Sequence, residues 1–91
     1  MEIRWSPEAA ADLIVIVQYI RKQNQSAAER VAHAIFDASD SLTKFSQRGR
    51  FGRVEGTREL VLAPLPFIVV YRVKAEFVEI VRVLHGSQRW P

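Results

Sequence analysis

Cysteine is absent from the 91-residue chain. That excludes disulfide staples, thiolate metal sites and cysteine nucleophiles, and gives no sign of an oxidising compartment. Glycine and proline number only four each, and neither repeats nor low-complexity tracts occur. Apolar runs are short: Leu13–Val17 is far below the length that spans a bilayer. Met1 is followed by Glu2-Ile3-Arg4, without the basic and apolar regions of an export signal, so the cytoplasm is the expected compartment and no membrane partner is expected. The two histidines, His33 and His85, lie far apart, and no HExxH, EF-hand, P-loop or Gly-x-Ser-x-Gly pattern occurs. Neither a metal nor a cofactor is expected.

What remains fits one α+β domain over residues 1–91, long enough to bury a core of its own. Net charge is +3, unevenly spread. Residues 1–43 carry four bases against six acids, whereas residues 44–91 carry nine bases against four acids, and seven of the nine are arginine. An arginine-rich half suits an acidic partner, protein or nucleic acid, because the planar guanidinium matches carboxylate and phosphate.

Periodicity gives the order of elements. Ile3-Arg4-Trp5 reads as a short strand. Ser6-Pro7-Glu8 then opens a helix, with a hydroxyl cap, a proline at the first helical position and an acid in the first turn. The helix runs to about Lys22 with Leu13, Ile16, Val17 and Ile20 on one face. Ile14 and Val15 fall elsewhere, which is more apolar surface than a single buried stripe needs. After Gln23-Asn24-Gln25, Ser26-Ala27-Ala28-Glu29 reads as a capping box opening a second helix, with Val31, Ile35, Ala38, Leu42 and Phe45 as its stripe and His33 facing solvent. Ser46–Gly56 is a glycine- and arginine-bearing loop. Strands follow at Thr57–Leu62, Phe67–Val73 and Phe77–Leu84, joined by tight turns as an antiparallel meander. Near-continuous apolar runs mean the sheet is covered on more than one side. The expected architecture is β-α-α-β-β-β, a helical hairpin on a small antiparallel sheet.

The ordered set Trp5-Ser6-Pro7-Glu8-Ala9-Ala10-Ala11-Asp12-Leu13, Tyr19-Ile20, Phe51-Gly52-Arg53, Gly56-Thr57-Arg58-Glu59-Leu60, Val69–Val73 and Val81-Arg82-Val83-Leu84-His85-Gly86 resembles the ParE/RelE toxin superfamily of bacterial type II toxin–antitoxin modules. The likeness covers nearly the whole chain and is strongest to the ParE-like branch. It implies a toxin silenced by an antitoxin that wraps an acidic amphipathic segment around it. ParE-like members poison DNA gyrase, trapping it with its DNA cut. RelE-like members cut mRNA on the ribosome, using lysines on the first meander strand and an arginine at the start of the second. Here Glu59 and Val61 stand where the lysines would lie, and Ile68 where the arginine would lie, and valine and isoleucine can neither move a proton nor stabilise an anion.

The expectation is therefore a gyrase poison with no catalytic residue and no sequence-specific nucleic-acid binding. Its contacts with target or antitoxin would come from Arg48, Arg50, Arg53, Arg58, Arg89 and Trp90. The alternative is a ribosome-dependent endoribonuclease using His85, with Arg58 or Arg82 on the phosphate and Glu59 as a second group. A third reading is a chain that survives only as an antitoxin-binding module. Each candidate also has a purely structural reading. His85 would fix the strand end by bonding to backbone, and Arg58 would sit in an ion pair. Tyr71 would be a core aromatic with its hydroxyl at the rim, and Trp90 would pack back on the domain.

Overall fold

The computed structural model describes residues Met1–Pro91. Strand β1 (Glu2–Trp5) leads to helices α1 (Pro7–Arg21) and α2 (Gln25–Asp40), a 3₁₀ turn at Ser41–Thr43, and strands β2 (Arg50–Phe51), β3 (Arg58–Val61), β4 (Phe67–Val73) and β5 (Phe77–His85). The α+β order and the antiparallel meander β3-β4-β5 are those expected. Two strands extend it, giving a five-stranded sheet in the order β1-β5-β4-β3-β2. β1 lies parallel to β5, from Glu2 beside Phe77 to Trp5 beside Ile80. The two-residue β2 lies within the stretch read as loop and pairs with β3. It exists because Gly56, at φ 82°, lets the chain turn back. The Gly52 amide donates to the Thr57 carbonyl at 2.8 Å, and Thr57 N–H to the Val54 carbonyl at 3.1 Å.

α1 begins as read. The Ser6 hydroxyl accepts the Ala9 amide at 3.0 Å and donates to the Val81 carbonyl at 2.9 Å, so the cap also ties the helix to β5. α2 begins earlier than the capping-box reading. Asn24 is the cap, its Oδ1 accepting the Ala27 amide at 3.0 Å, while Ser26 accepts from Arg30 instead. Asparagine caps at least as well as serine, and here it comes first. α2 also stops earlier. The hydroxyls of Ser39, Ser41 and Thr43 donate back to the carbonyls of Ile35, Ala38 and Asp40, competing with regular helix bonding. Leu42 is fully buried as expected, but Phe45 is 62% exposed and leaves the stripe.

The helices cover one face of the sheet, where Ala9, Leu13, Ile35 and Leu42 pack with Leu60, Val69, Tyr71, Val78, Ile80 and Val83. On the other face Ile68, Val70 and Leu84 are buried under Val81 and Trp90. Trp90 thus packs back on the domain, and the unbroken apolar run of β4 is buried from Phe67 to Tyr71 because both of its faces are covered. No helix is long and apolar enough to cross a membrane.

Candidate functional site

The arginines of the glycine-bearing loop are organised by Glu59. On β3 it opposes Arg50 of β2, and only 1% of it is exposed. Its Oε1 accepts from Arg50 Nη2 at 3.0 Å. Its Oε2 accepts from the Arg53 amide at 3.0 Å and from Arg53 Nε at 3.2 Å. Burial pushes this carboxyl up, but the Arg53 amide and the two guanidinium bonds outweigh it and hold the group below the usual carboxylate range. The side chains of Arg50 and Arg53 remain 60% and 46% exposed, so each presents an outer edge to solvent while its inner edge is fixed.

Arg58 forms no ion pair, contrary to the structural reading of it. Its Nη1 donates to the carbonyls of Gly49 at 2.8 Å and Gln47 at 3.3 Å, and its guanidinium lies 4.5 Å from the centre of the Phe51 ring. Arg48 donates to the Ser41 hydroxyl at 2.9 Å, and Arg89 is exposed in the tail. Tyr71 is the core aromatic expected, but it is fully buried, so its hydroxyl lies beneath the loop and not at an open rim. It accepts the Gly49 amide and donates to the Ser46 carbonyl, both at 2.8 Å.

Arg82 is engaged with Asp12, 70 residues away in sequence. Arg82 Nε lies 2.7 Å from Oδ2 and Nη2 2.9 Å from Oδ1, a bidentate pair. This bond holds the guanidinium above its ordinary value. Asp12 Oδ2 also accepts the Val83 amide at 2.9 Å. β1 pairs only with Phe77–Ile80, so Val83 would otherwise present a free edge amide. Asp12 closes that edge.

His85 ends β5, exposed, with its ring edge-on to Phe67. Its Nδ1 accepts the Ser87 amide at 3.2 Å and sits 2.7 Å from the Ser87 hydroxyl, while Gln88 Oε1 caps its own amide at 2.6 Å. This is the strand-end anchor expected, and an acceptor at Nδ1 puts the neutral ring's proton on Nε2.

The four residues of the nuclease alternative are not brought together. His85 opposes Phe67 on one side of β4 and Arg58 opposes Tyr71 on the other. Four residues of strand separate them along the sheet, roughly 13 Å, with β4 between. Glu59 and Arg82 both flank Val70, about 10 Å apart across β4, and each is bound to a different partner.

A separate feature is apolar. Ile14, Val15 and Tyr19 on the outer side of α1 are 55%, 65% and 66% exposed. Val15, Ile16, Tyr19 and Ile20 line a groove of about 400 Å³, closed by Pro66, Phe67 and His85.

Residues 3–90 match the sequence model of the ParE toxin of type II toxin–antitoxin systems, parDE. The chain belongs to the ParE toxin family. It is 45% identical over 89 residues to Y4kP of Sinorhizobium fredii, which carries a toxin name, covering 98% of this chain and 92% of that protein. It is 37% identical over 87 residues to toxin RelE2 of Caulobacter vibrioides, covering 96% and 97%. Among solved structures it superposes on the chromosomal ParDE toxin–antitoxin system from P. aeruginosa with a TM-score of 0.85 and 28% identity, over 93% of this chain and 95% of that one. In this ParE-family chain Glu59 fixes two exposed arginines, Arg50 and Arg53, and α1 exposes Ile14, Val15 and Tyr19.

Sequence reasoning missed two partnerships, Glu59 with Arg50 and Arg53, and Asp12 with Arg82. It also missed the exposed rings of Phe45 and Phe51. An aromatic set between glycine and arginine on both sides, Gly49-Arg50-Phe51-Gly52-Arg53, was the available signal for Phe51.

Proposed function

We propose that this ParE-family toxin acts on DNA gyrase in the cytoplasm by contact rather than catalysis, arresting the enzyme with its DNA cut. A cognate antitoxin silences it. The observation that carries this reading is the state of the nuclease candidates. Arg82 is closed against Asp12, Glu59 lies beneath two arginines, Arg58 is bonded to loop carbonyls, and His85 stands at the far end of the sheet. RNA cleavage needs a base, an acid and a cation around one phosphate. A protein grip needs a rigid, charged surface, and Arg48, Arg50 and Arg53 along the pinned segment, with Arg58 beside them on β3, supply one.

The α1 groove supports the antitoxin. An amphipathic segment binds by laying apolar anchors in such a groove, and its acids would meet the basic second half of the chain. The test is supercoiling by purified gyrase in the presence of purified toxin, with mRNA cleavage on translating ribosomes scored in parallel. Loss of supercoiling with trapped cleaved DNA is expected. Untouched gyrase together with cut mRNA would establish the nuclease alternative instead.

A further inference from the structure

Phe51 is 81% exposed, yet its ring is not loosely held. Arg58 backs it at 4.5 Å, and Arg58 is itself fixed by the Gly49 and Gln47 carbonyls, in a loop pinned by the Tyr71 hydroxyl. Six residues earlier Phe45, 62% exposed, lines an open groove of about 520 Å³ with Ser41, Gln47 and Arg48. Residues 44–58 carry Lys44, Arg48, Arg50, Arg53 and Arg58 against the single acid Glu55.

Two exposed phenyl rings, one sharing a groove with Arg48 and the other backed by Arg58, with Arg58 bonded to the Gln47 carbonyl of that groove, are the parts of a binding surface for unpaired nucleic acid. Bases stack on the rings, whatever their identity, while arginines meet the phosphates. An amphipathic protein segment would need a continuous apolar channel, but here the groove is lined by one ring and three polar side chains. A duplex keeps its bases stacked on each other and has no free base face to offer.

We propose that Phe45, Phe51, Arg48 and Arg58 form a binding surface for single-stranded DNA. Binding is indifferent to sequence, because stacking and phosphate contacts do not read base edges. The choice of DNA over RNA rests on the gyrase reading, in which a broken DNA strand lies within reach of the toxin.

The test is fluorescence anisotropy of an end-labelled oligo-dT of about twelve nucleotides, titrated with the full chain at about 50 mM salt. Saturable binding is expected. Phe51→Ala should weaken it by about five- to 150-fold, the cost of one lost stacking contact, and Phe51→Trp should restore it. Arg48→Ala should lower the slope of log affinity against log salt by about 0.7, whereas Phe51→Ala should leave that slope unchanged. Equal binding of the duplex, or wild-type affinity in Phe51→Ala, overturns the stacking site. Tighter binding of a polyglutamate peptide makes this a protein-binding surface, and tighter binding of oligo-rU overturns the assignment to DNA. No gyrase is present in the experiment. A toxin that binds oligo-dT but leaves gyrase untouched loses only the proposed function, and one that poisons gyrase without binding oligo-dT loses only this inference.

Discussion

The hydroxyl of Tyr71 joins two ends of one loop turn, accepting the Gly49 amide and donating to the Ser46 carbonyl at 2.8 Å each. A buried tyrosine of the sheet thereby sets the position of a surface loop that carries Arg48 and Arg50. Gly49 is buried, and a side chain there would bring its Cβ within 2.8 Å of the Tyr71 ring and hydroxyl, which explains why glycine occupies it.

Tyr71→Phe keeps the ring in the core and removes both bonds. It leaves the Gly49 amide without a partner, which costs about 1–3 kcal/mol. A lower denaturant midpoint with an unchanged m-value is expected, together with weaker toxicity as the arginine loop loosens. An unchanged midpoint would mean that water replaces the hydroxyl without cost.

Acid titration reads Glu59. Its folded value lies below the usual carboxylate value of 4.5, so its contribution to stability is fully present above that value. It is lost as the pH falls through the lower folded one. Stability from Glu59 should therefore be flat from neutral pH down to about 5 and decline below it. Glu59→Gln should remove that decline and cost about 1.5–3 kcal/mol at neutral pH, the worth of hydrogen bonds to charged groups. Glu2 is shifted the same way by Arg4, but that pair is exposed and its effect vanishes with added salt. Repeating the titration at high salt isolates Glu59.

These partnerships also mark where the sequence stopped being legible. The Ser6 cap, the meander, exposed His33, the anchored His85, Tyr71 as a core aromatic and the folded-back Trp90 all follow from local pattern or from the nature of the side chain. Glu59 does not. In Arg-Glu-Leu-Val it alternates as a solvent-facing residue would, and its burial comes from Arg50 and Arg53 folding over it once Gly56 has turned the chain. Asp12 and Arg82 meet because α1 runs along the part of β5 that β1 leaves uncovered, a relation no window of sequence contains. The parallel β1–β5 pairing is hidden for the same reason, since the partners lie at opposite ends of the chain. The roles of the arginines were therefore the least readable part, because each depends on which acceptor the fold delivers to it.

Asp12 and Arg82 separate a structural role from a catalytic one. Arg82→Ala leaves the Asp12 carboxylate bonded only to the Val83 amide. A double-mutant cycle with Asp12→Ala should give a coupling of about 0.5–3 kcal/mol in stability. Growth inhibition by Arg82→Ala should follow the fraction folded, and His85→Ala should remain toxic. If either variant is fully folded and inert, the side chain touches the target and the nuclease alternative regains its ground.

The exposed face of α1 gives the sharpest functional separation. Val15 and Tyr19 are each about two-thirds exposed, so a carboxylate at either position stays hydrated and stability should move by no more than about 0.5 kcal/mol. Seated against an acidic amphipathic antitoxin, the same carboxylate would be desolvated and would face like charge. Tyr19→Asp should lose antitoxin affinity by about ten- to 100-fold, since anchor residues of a groove carry most of its binding energy. The variant should be as toxic as wild type alone, yet no longer rescued when the antitoxin is expressed with it. Calorimetric titration of the two purified proteins measures the first effect and growth on co-expression measures the second. Full rescue with unchanged affinity would move the antitoxin off α1 and leave the groove without an occupant.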